Sequence, residues 1–220
     1  TRTQSACEDL SRITMFITLE GPEGSGKTSQ LPALAAYLRA AGYEVLVTRE
    51  PGGTAVGDQI REILMNLQNV SIIPRTEILL FLAARAQHVD EVIRPALAAG
   101  KVVLCDRFGD STLAYQGFGH KTDLETLQAL LDFSTGGLKP DLTLLVDVPV
   151  EVGMARKRDN SSEWNRLDAY ALAFHERVRQ GYFALAEAEP ERWMIIDATE
   201  DKAHVQQALR SAIMARLPHQ

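Results

Sequence analysis

Gly21-Pro22-Glu23-Gly24-Ser25-Gly26-Lys27-Thr28 sets glycines where a loop must curl and closes with a lysine and a hydroxyl. In such a loop successive N–H groups converge on an anion, and the helix that follows adds its positive dipole end. Lys27 can reach the outer phosphates of a nucleotide, and the Thr28 hydroxyl can ligate magnesium. Arg49 and Arg107 each follow an apolar run. A guanidinium fork suits phosphate; either arginine alone could equally form a surface ion pair, but two at such ends favour the phosphate role. Asp106 closes its apolar run, the usual place for a carboxylate that organises magnesium, and it could equally orient Arg107. The stretch Gly153–Asp168, GMARKRDNSSEWNRLD, is dense in basic residues. By itself it would be a solvated connection; beside a phosphate loop it reads as a mobile basic flap, with Arg156, Arg158 and Arg166 able to surround a transferred phosphoryl group.

The elements that must position these groups follow from patterning. Short β-branched runs at Met15–Glu20, Glu44–Thr48, Lys101–Asp106, Asp141–Asp147 and Arg192–Asp197 alternate with helical patterns. The helical stretches are Gly26–Ala41, Ala55–Asn66, Arg75–Ala99, Leu124–Phe133, Val150–Lys157, Asp168–Glu189 and Lys202–Leu217, with Pro95 kinking the third near its end. That alternation predicts an α/β domain of three layers, a parallel sheet of five strands between helices. Ligands of such sheets lie beyond the carboxyl ends of the strands, where Gly21, Arg49 and Arg107 all fall.

The chain of 220 residues, 45% hydrophobic, suits one domain, and its net charge of −6 argues against a nucleic-acid binder. Two cysteines, Cys7 and Cys105, are too few for a disulfide framework; Cys105, inside KVVLCD, reads as a buried free thiol, and a reduced cytoplasmic setting is expected. No apolar run is long enough to span a bilayer, so no membrane partner is expected. Residues 1–12 read as a disordered extension, 13–218 as the single domain, and about 156–167 as its lid.

With these residues in order, the span from Phe16 to about Leu217 resembles the bacterial thymidylate kinases of the nucleoside monophosphate kinase group. The resemblance rests on GPEGSGKT at Gly21, TREPGGT at Thr48, FLAARAQH at Phe81, DRFGDSTLAYQG at Asp106, PDLTLLVDVPVEVG at Pro140 and NRLD at Asn165. It implies a P-loop NTPase fold with strand order 2-3-1-4-5, transfer of the ATP γ-phosphoryl group to dTMP in dTTP synthesis, Mg2+, and a homodimer. By resemblance Phe81 stacks on thymine, Arg85 donates to a base carbonyl, and Thr112, with Gln116 as a further candidate, reads the remaining edge. Glu23 would accept from the sugar 3′-hydroxyl, and Tyr115 would lie where a 2′-hydroxyl would crowd it. Arg107, with Arg49 and Arg61, would hold the acceptor phosphate. Ordinary core packing is the competing account of Phe81; the partner Arg85, one turn on, favours the stacking role.

Gly24-Ser25 stands where some relatives carry a loop arginine, so the resemblance assigns the catalytic charge to the lid, Arg158 first and Arg156 next. The chain departs from many relatives at Tyr115–Lys121, where His120-Lys121 replaces an arginine and glycine. Two other readings stand beside this one. The first is a kinase for another nucleoside monophosphate on the same scaffold. The second is a GTP-binding switch, since Asp106-x-x-Gly109 and His120-Lys121-Thr122-Asp123 approach two of its motifs; the latter does not follow an apolar strand.

Overall fold

The structure is a computed structural model and describes residues 14–159 and 165–217. The expected extension over 1–12 and residues 160–164 of the expected lid lie outside the described residues.

Strands β1 (Met15–Glu20), β2 (Val45–Arg49), β3 (Val102–Asp106), β4 (Leu142–Asp147) and β5 (Trp193–Asp197) form one parallel sheet in the order β2-β3-β1-β4-β5. Their residue types follow their places in it. β1 and β3 are buried at every position, as central strands covered on both faces must be, whereas β2 and β5 mix exposed and covered residues as edges. Alternate side chains of β1 serve opposite layers. Met15, Ile17 and Leu19 pack with Leu34, Leu38, Leu209 and Ile213, while Phe16 joins Val103, Cys105 and Phe108.

The flanking helices are α1 (Lys27–Ala40), α2 (Ala55–Met65), α3 (Pro74–His88), α4 (Arg94–Ala98), α5 (Gly109–Thr112), α6 (Leu124–Thr135), α7 (Val150–Asp159), α8 (Leu172–Ala188) and α9 (Lys202–Met214). Side-chain caps start three of them: Thr54 accepts from Gly57 N, Asp123 from Thr126 N, and Asp201 from Ala203 N and His204 N.

Two expected segments differ from the sequence reading, and one helical stretch has no counterpart in it. The stretch Arg75–Ala99 is not one kinked α-helix, because α3 passes through a π-helical turn, Val89–Ile93, before α4. Pro95 has no N–H to give to the preceding turn, and the wider turn ahead of it accommodates that loss. The residues after β3 are helical: α5 continues into a π-helical stretch, Leu113–Gly119, that carries Tyr115 and Gln116. Finally α8 begins at Leu172 rather than Asp168, the residues before it forming a turn around Arg166.

Register brings the chemistry together. Leu19 pairs with Asp106, and Arg49 pairs with Asp106 from the other side, so the loop that opens at Gly21 lies level with the ends of β2 and β3.

Candidate active site

A cavity of about 1050 Å3 opens over those strand ends. One part of it is formed by Gly24–Gln30, a second by Phe81, Arg85, Thr112, Tyr115 and Gln116, and a third by Arg156, Lys157 and Asn165.

The glycine loop owes its shape to close packing. Gly24 has φ +68, and a Cβ there would overlap the backbone of Gly153 in α7; a Cβ on Gly153 would in turn overlap the Glu23 carbonyl. The basic helix thus sits directly on the loop. Inside the loop, Lys27 Nζ donates to Gly21 O (2.9 Å), Pro22 O (2.8 Å) and Ser25 Oγ (3.0 Å), and burial together with Arg107 brings its pKa down to about 7. Glu23, Asp106 and Glu20 act on this ammonium through space, and an arriving phosphate would add a direct ion pair. Thr28 Oγ1 donates to Asp106 Oδ2 at 2.5 Å. The two form a compact set of hard oxygens of the kind Mg2+ takes alongside phosphate oxygens and water. Among the described residues no cluster of three or more His, Cys, Asp or Glu could hold a metal without such added ligands.

Arg107 is the most constrained residue of the site. Its φ of +67 is uncommon for a side chain of this size and costs on the order of 1–3 kcal/mol. Contacts on both sides hold it there: its N–H donates to Leu19 O, its carbonyl accepts from Cys105 Sγ, and the next N–H, of Phe108, donates to Glu20 Oε1 at 2.7 Å. The guanidinium donates to Glu23 Oε1 (2.7 Å), Tyr115 OH (3.1 Å), Tyr182 OH (3.0 Å) and Gly21 O (3.0 Å). Burial alone would raise the Glu23 carboxyl, but Arg107, Lys27 and Lys157 bring it down to about 2. Tyr115 OH also donates to Glu23 Oε1, at 2.7 Å. Among the described residues Glu23 Oε2 faces Lys157 alone, at 4.0 Å, and so keeps room to accept a hydroxyl.

The second part sorts the base-site residues. Phe81 is half-buried and lines the cavity, whereas its neighbour Leu82 belongs to the core. Arg85 is 2% exposed; it donates from Nε to Glu50 Oε2 (2.7 Å), from Nη1 to Thr112 Oγ1 (3.0 Å) and from Nη2 to Phe108 O (3.0 Å). Among the described residues this leaves two of the five guanidinium N–H groups for a ligand. Arg49 pairs with Asp58 (3.2 Å) and Arg61 donates to Pro51 O (2.9 Å), both at the cavity wall.

The arginines expected in a lid separate. Arg156 lines the cavity and donates to Ala198 O at 3.0 Å. Arg158 is exposed on α7 and does not line it. Arg166, expected near the transferred group, lies elsewhere: it donates to Leu64 O (2.9 Å), Tyr170 OH (3.0 Å) and Glu77 Oε2 (2.5 Å), clamping the turn before α8 to α2 and α3. Lys157, which the sequence reading passed over, reaches the cavity instead, 3.6 Å from Asp168 and 4.0 Å from Glu23. Its signal was present: four residues after the glycine that packs on the loop, it shares that helix face. Glu50 and Glu77 were also missed, and no local spacing could have found them, since their partners come from distant segments.

The residues set against the GTP-switch reading are placed as well. Asp123 spends its carboxylate capping α6, and His120 packs against Tyr170 and Phe174, with ring centroids at 5.0 and 4.8 Å.

The sequence model of the thymidylate kinase family matches residues 19–209. The chain belongs to that family. It is 53% identical over 209 residues to the thymidylate kinase of Desulfovibrio desulfuricans, covering 92% of this chain and 96% of that one. It is 57% identical over 187 residues to that of Thermomicrobium roseum, covering 85% and 88%. The crystal structure of thymidylate kinase from Ehrlichia chaffeensis superposes with a TM-score of 0.75 at 34% identity, over 92% of this chain and 99% of that one. Family membership makes the chain a transferase, an ATP-dependent nucleoside monophosphate kinase. It accounts for why a phosphate loop and an aromatic, arginine-bearing wall share one cavity.

Proposed function

We propose that this cavity binds ATP on the Gly21–Thr28 loop and dTMP against Phe81, Arg85 and Tyr115, with the residue roles given below. The reaction is that of the family: an oxygen of the dTMP phosphate bonds to the γ-phosphorus of ATP while the bond from that phosphorus to the β–γ bridging oxygen breaks, giving dTDP and ADP. The observation that carries the assignment is the position of Arg107, held by Glu23 and Tyr115 between the phosphate loop and the base wall.

Phosphoryl transfer asks a protein chiefly for positioning and positive charge. Lys27 and the loop N–H groups hold the donor phosphates. Arg107, with Arg49 and Arg61, holds the acceptor phosphate. Glu23 accepts the sugar 3′-hydroxyl on its free oxygen, Phe81 stacks on the base, and Arg85, Thr112 and Gln116 meet the base edge. Arg156 and Lys157 supply charge from the lid helix in preference to Arg158, because both line the cavity. Arg166 anchors the lid and does not touch the reacting atoms. Thr28 and Asp106 would hold Mg2+, which when bound offsets charge on the phosphate oxygens.

A homodimer is proposed through the exposed apolar side chains of α2, α3 and the chain between them, Val56, Ile63, Val70, Ile73 and Leu79, each 46% exposed or more. A cytoplasmic setting is supported by Cys105, a buried free thiol, and no helix of the described residues is long and apolar enough to cross a membrane. Phosphorus NMR tests the chemistry: with ATP and Mg2+ the dTMP monoester signal should give way to dTDP signals in an amount equal to the ADP formed, and EDTA added beforehand should prevent the conversion. Hydrolysis of ATP without a new nucleoside diphosphate would refute it.

A further inference from the structure

We infer that Glu77 is a positioning residue that holds the Gln116 amide with its oxygen toward the acceptor base, so that the pocket favours an imide edge over an aminopyrimidine edge. The inference rests on reading the cavity as a nucleoside monophosphate site.

Glu77 lies in the first turn of α3 and is 1% exposed. Its two oxygens divide their duties. Oε1 accepts from Gln116 Nε2 at 2.8 Å, with His120 Nε2 at 3.4 Å. Oε2 accepts from Arg166 Nη2 at 2.5 Å and Tyr170 OH at 3.0 Å. Burial would raise this carboxyl, but the groups around it bring it down to about 2, so it is ionised at neutral pH. An ionised carboxylate accepts and never donates, so Gln116 must turn its NH2 toward Glu77. Its amide oxygen makes no hydrogen bond among the described residues, and Gln116 lines the cavity.

On the same wall, Thr112 Oγ1 accepts from Arg85, which frees its own proton to be donated. The wall therefore offers donors at Arg85 and Thr112 and an acceptor at Gln116. Thymine presents the complementary edge, a carbonyl oxygen beside a ring N–H. Cytosine presents an amino group beside a bare ring nitrogen, which sets like against like at both points. An unpaired buried polar group costs more than a missing hydrogen bond gains, so fixing the amide fixes the preference. Freed from Glu77, the amide could rotate and serve either edge.

The test compares kcat/KM for dTMP with that for dCMP in the wild type, Glu77→Gln, Glu77→Asp and Tyr170→Phe. In Glu77→Gln, Arg166 claims the single oxygen, leaving an NH2 against Gln116 that turns the amide around. Glu77→Asp keeps the charge for Arg166 but withdraws the carboxylate by about 1.5 Å, one carbon–carbon bond. Tyr170→Phe removes a donor from the other oxygen only. The dTMP/dCMP ratio should fall about tenfold or more in both Glu77 variants and stay within about twofold of wild type in Tyr170→Phe. A wild-type ratio in either folded Glu77 variant, or an equal fall in Tyr170→Phe, would overturn the inference. A wild type inactive on dTMP would instead refute the reading of the cavity.

Discussion

Lys157 stands 4.0 Å from Glu23, so a side chain of the basic helix α7 reaches the carboxylate of the phosphate loop. The same ammonium lies 3.6 Å from Asp168, whose carboxyl burial and Glu23 raise to about 6. Helix, loop and the turn before α8 therefore meet at one cation.

Lys157→Met should lower kcat about a hundredfold, the usual cost of losing one group aimed at developing charge. The KM for ATP should stay within about threefold, because the interaction is strongest in the transition state. Steady-state kinetics beside Arg158→Ala, expected to be the milder variant, checks this; the reverse ranking would return the role to Arg158.

Gly153→Ala should loosen the phosphate loop. The added methyl would overlap the Glu23 carbonyl, which is backbone and cannot swing aside. Overpacking of this kind costs about 1–3 kcal/mol. Calorimetry should show both a lower unfolding midpoint and weaker ATP binding, and intact nucleotide affinity would mean that α7 does not shape the loop.

Phe81 offers a clean separation of site from core. Phe81→Ala should raise the KM for dTMP about tenfold while costing less than about 1 kcal/mol of stability, whereas Phe16→Ala, 1% exposed, should cost about 3–5 kcal/mol. Denaturant unfolding of the two variants side by side decides it.

Much of this was legible in the sequence. Strand boundaries agree to within one residue because central parallel strands are apolar runs bounded by sharp changes of type, and the loop after β1 announces itself through glycines. The helical stretch after β3 was hidden, since Gly109, Gly117 and Gly119 lower its helical signal while tertiary packing holds them in helical turns: a Cβ on Gly119 would press on Phe174, and one on Gly117 on Leu124. Arg166 misled for a related reason. Its place in a basic run suggested a mobile charge, but its partners Leu64 and Glu77 lie in elements about a hundred residues away along the chain. Charge runs report composition, and only the fold says which of their members are already paired.

Acid should unmask Glu77. Its carboxyl stands at about 2 in the folded chain against 4.5 ordinarily, so the folded state binds this proton less readily than the unfolded chain. The stability it contributes is complete above pH 4.5 and is lost as pH falls toward 2. At about 1.4 kcal/mol per unit, the whole contribution is on the order of 3 kcal/mol. Urea unfolding between pH 6 and pH 2.5 should show a steeper decline in the wild type than in Glu77→Gln; parallel curves would show that Glu77 is not held so low.

In the proposed function the wall of Phe81, Arg85 and Tyr115 selects thymidylate for phosphorylation by ATP bound on the Gly21–Thr28 loop. The most direct measurement is ADP release with ATP and Mg2+, offering dTMP, dUMP, UMP, dCMP, dGMP and AMP separately. Turnover should be strong with dTMP, weaker with dUMP, and weak with the ribonucleotides that Tyr115 would crowd. A preference for any other acceptor, or release of ADP that no acceptor stimulates, would contradict the account.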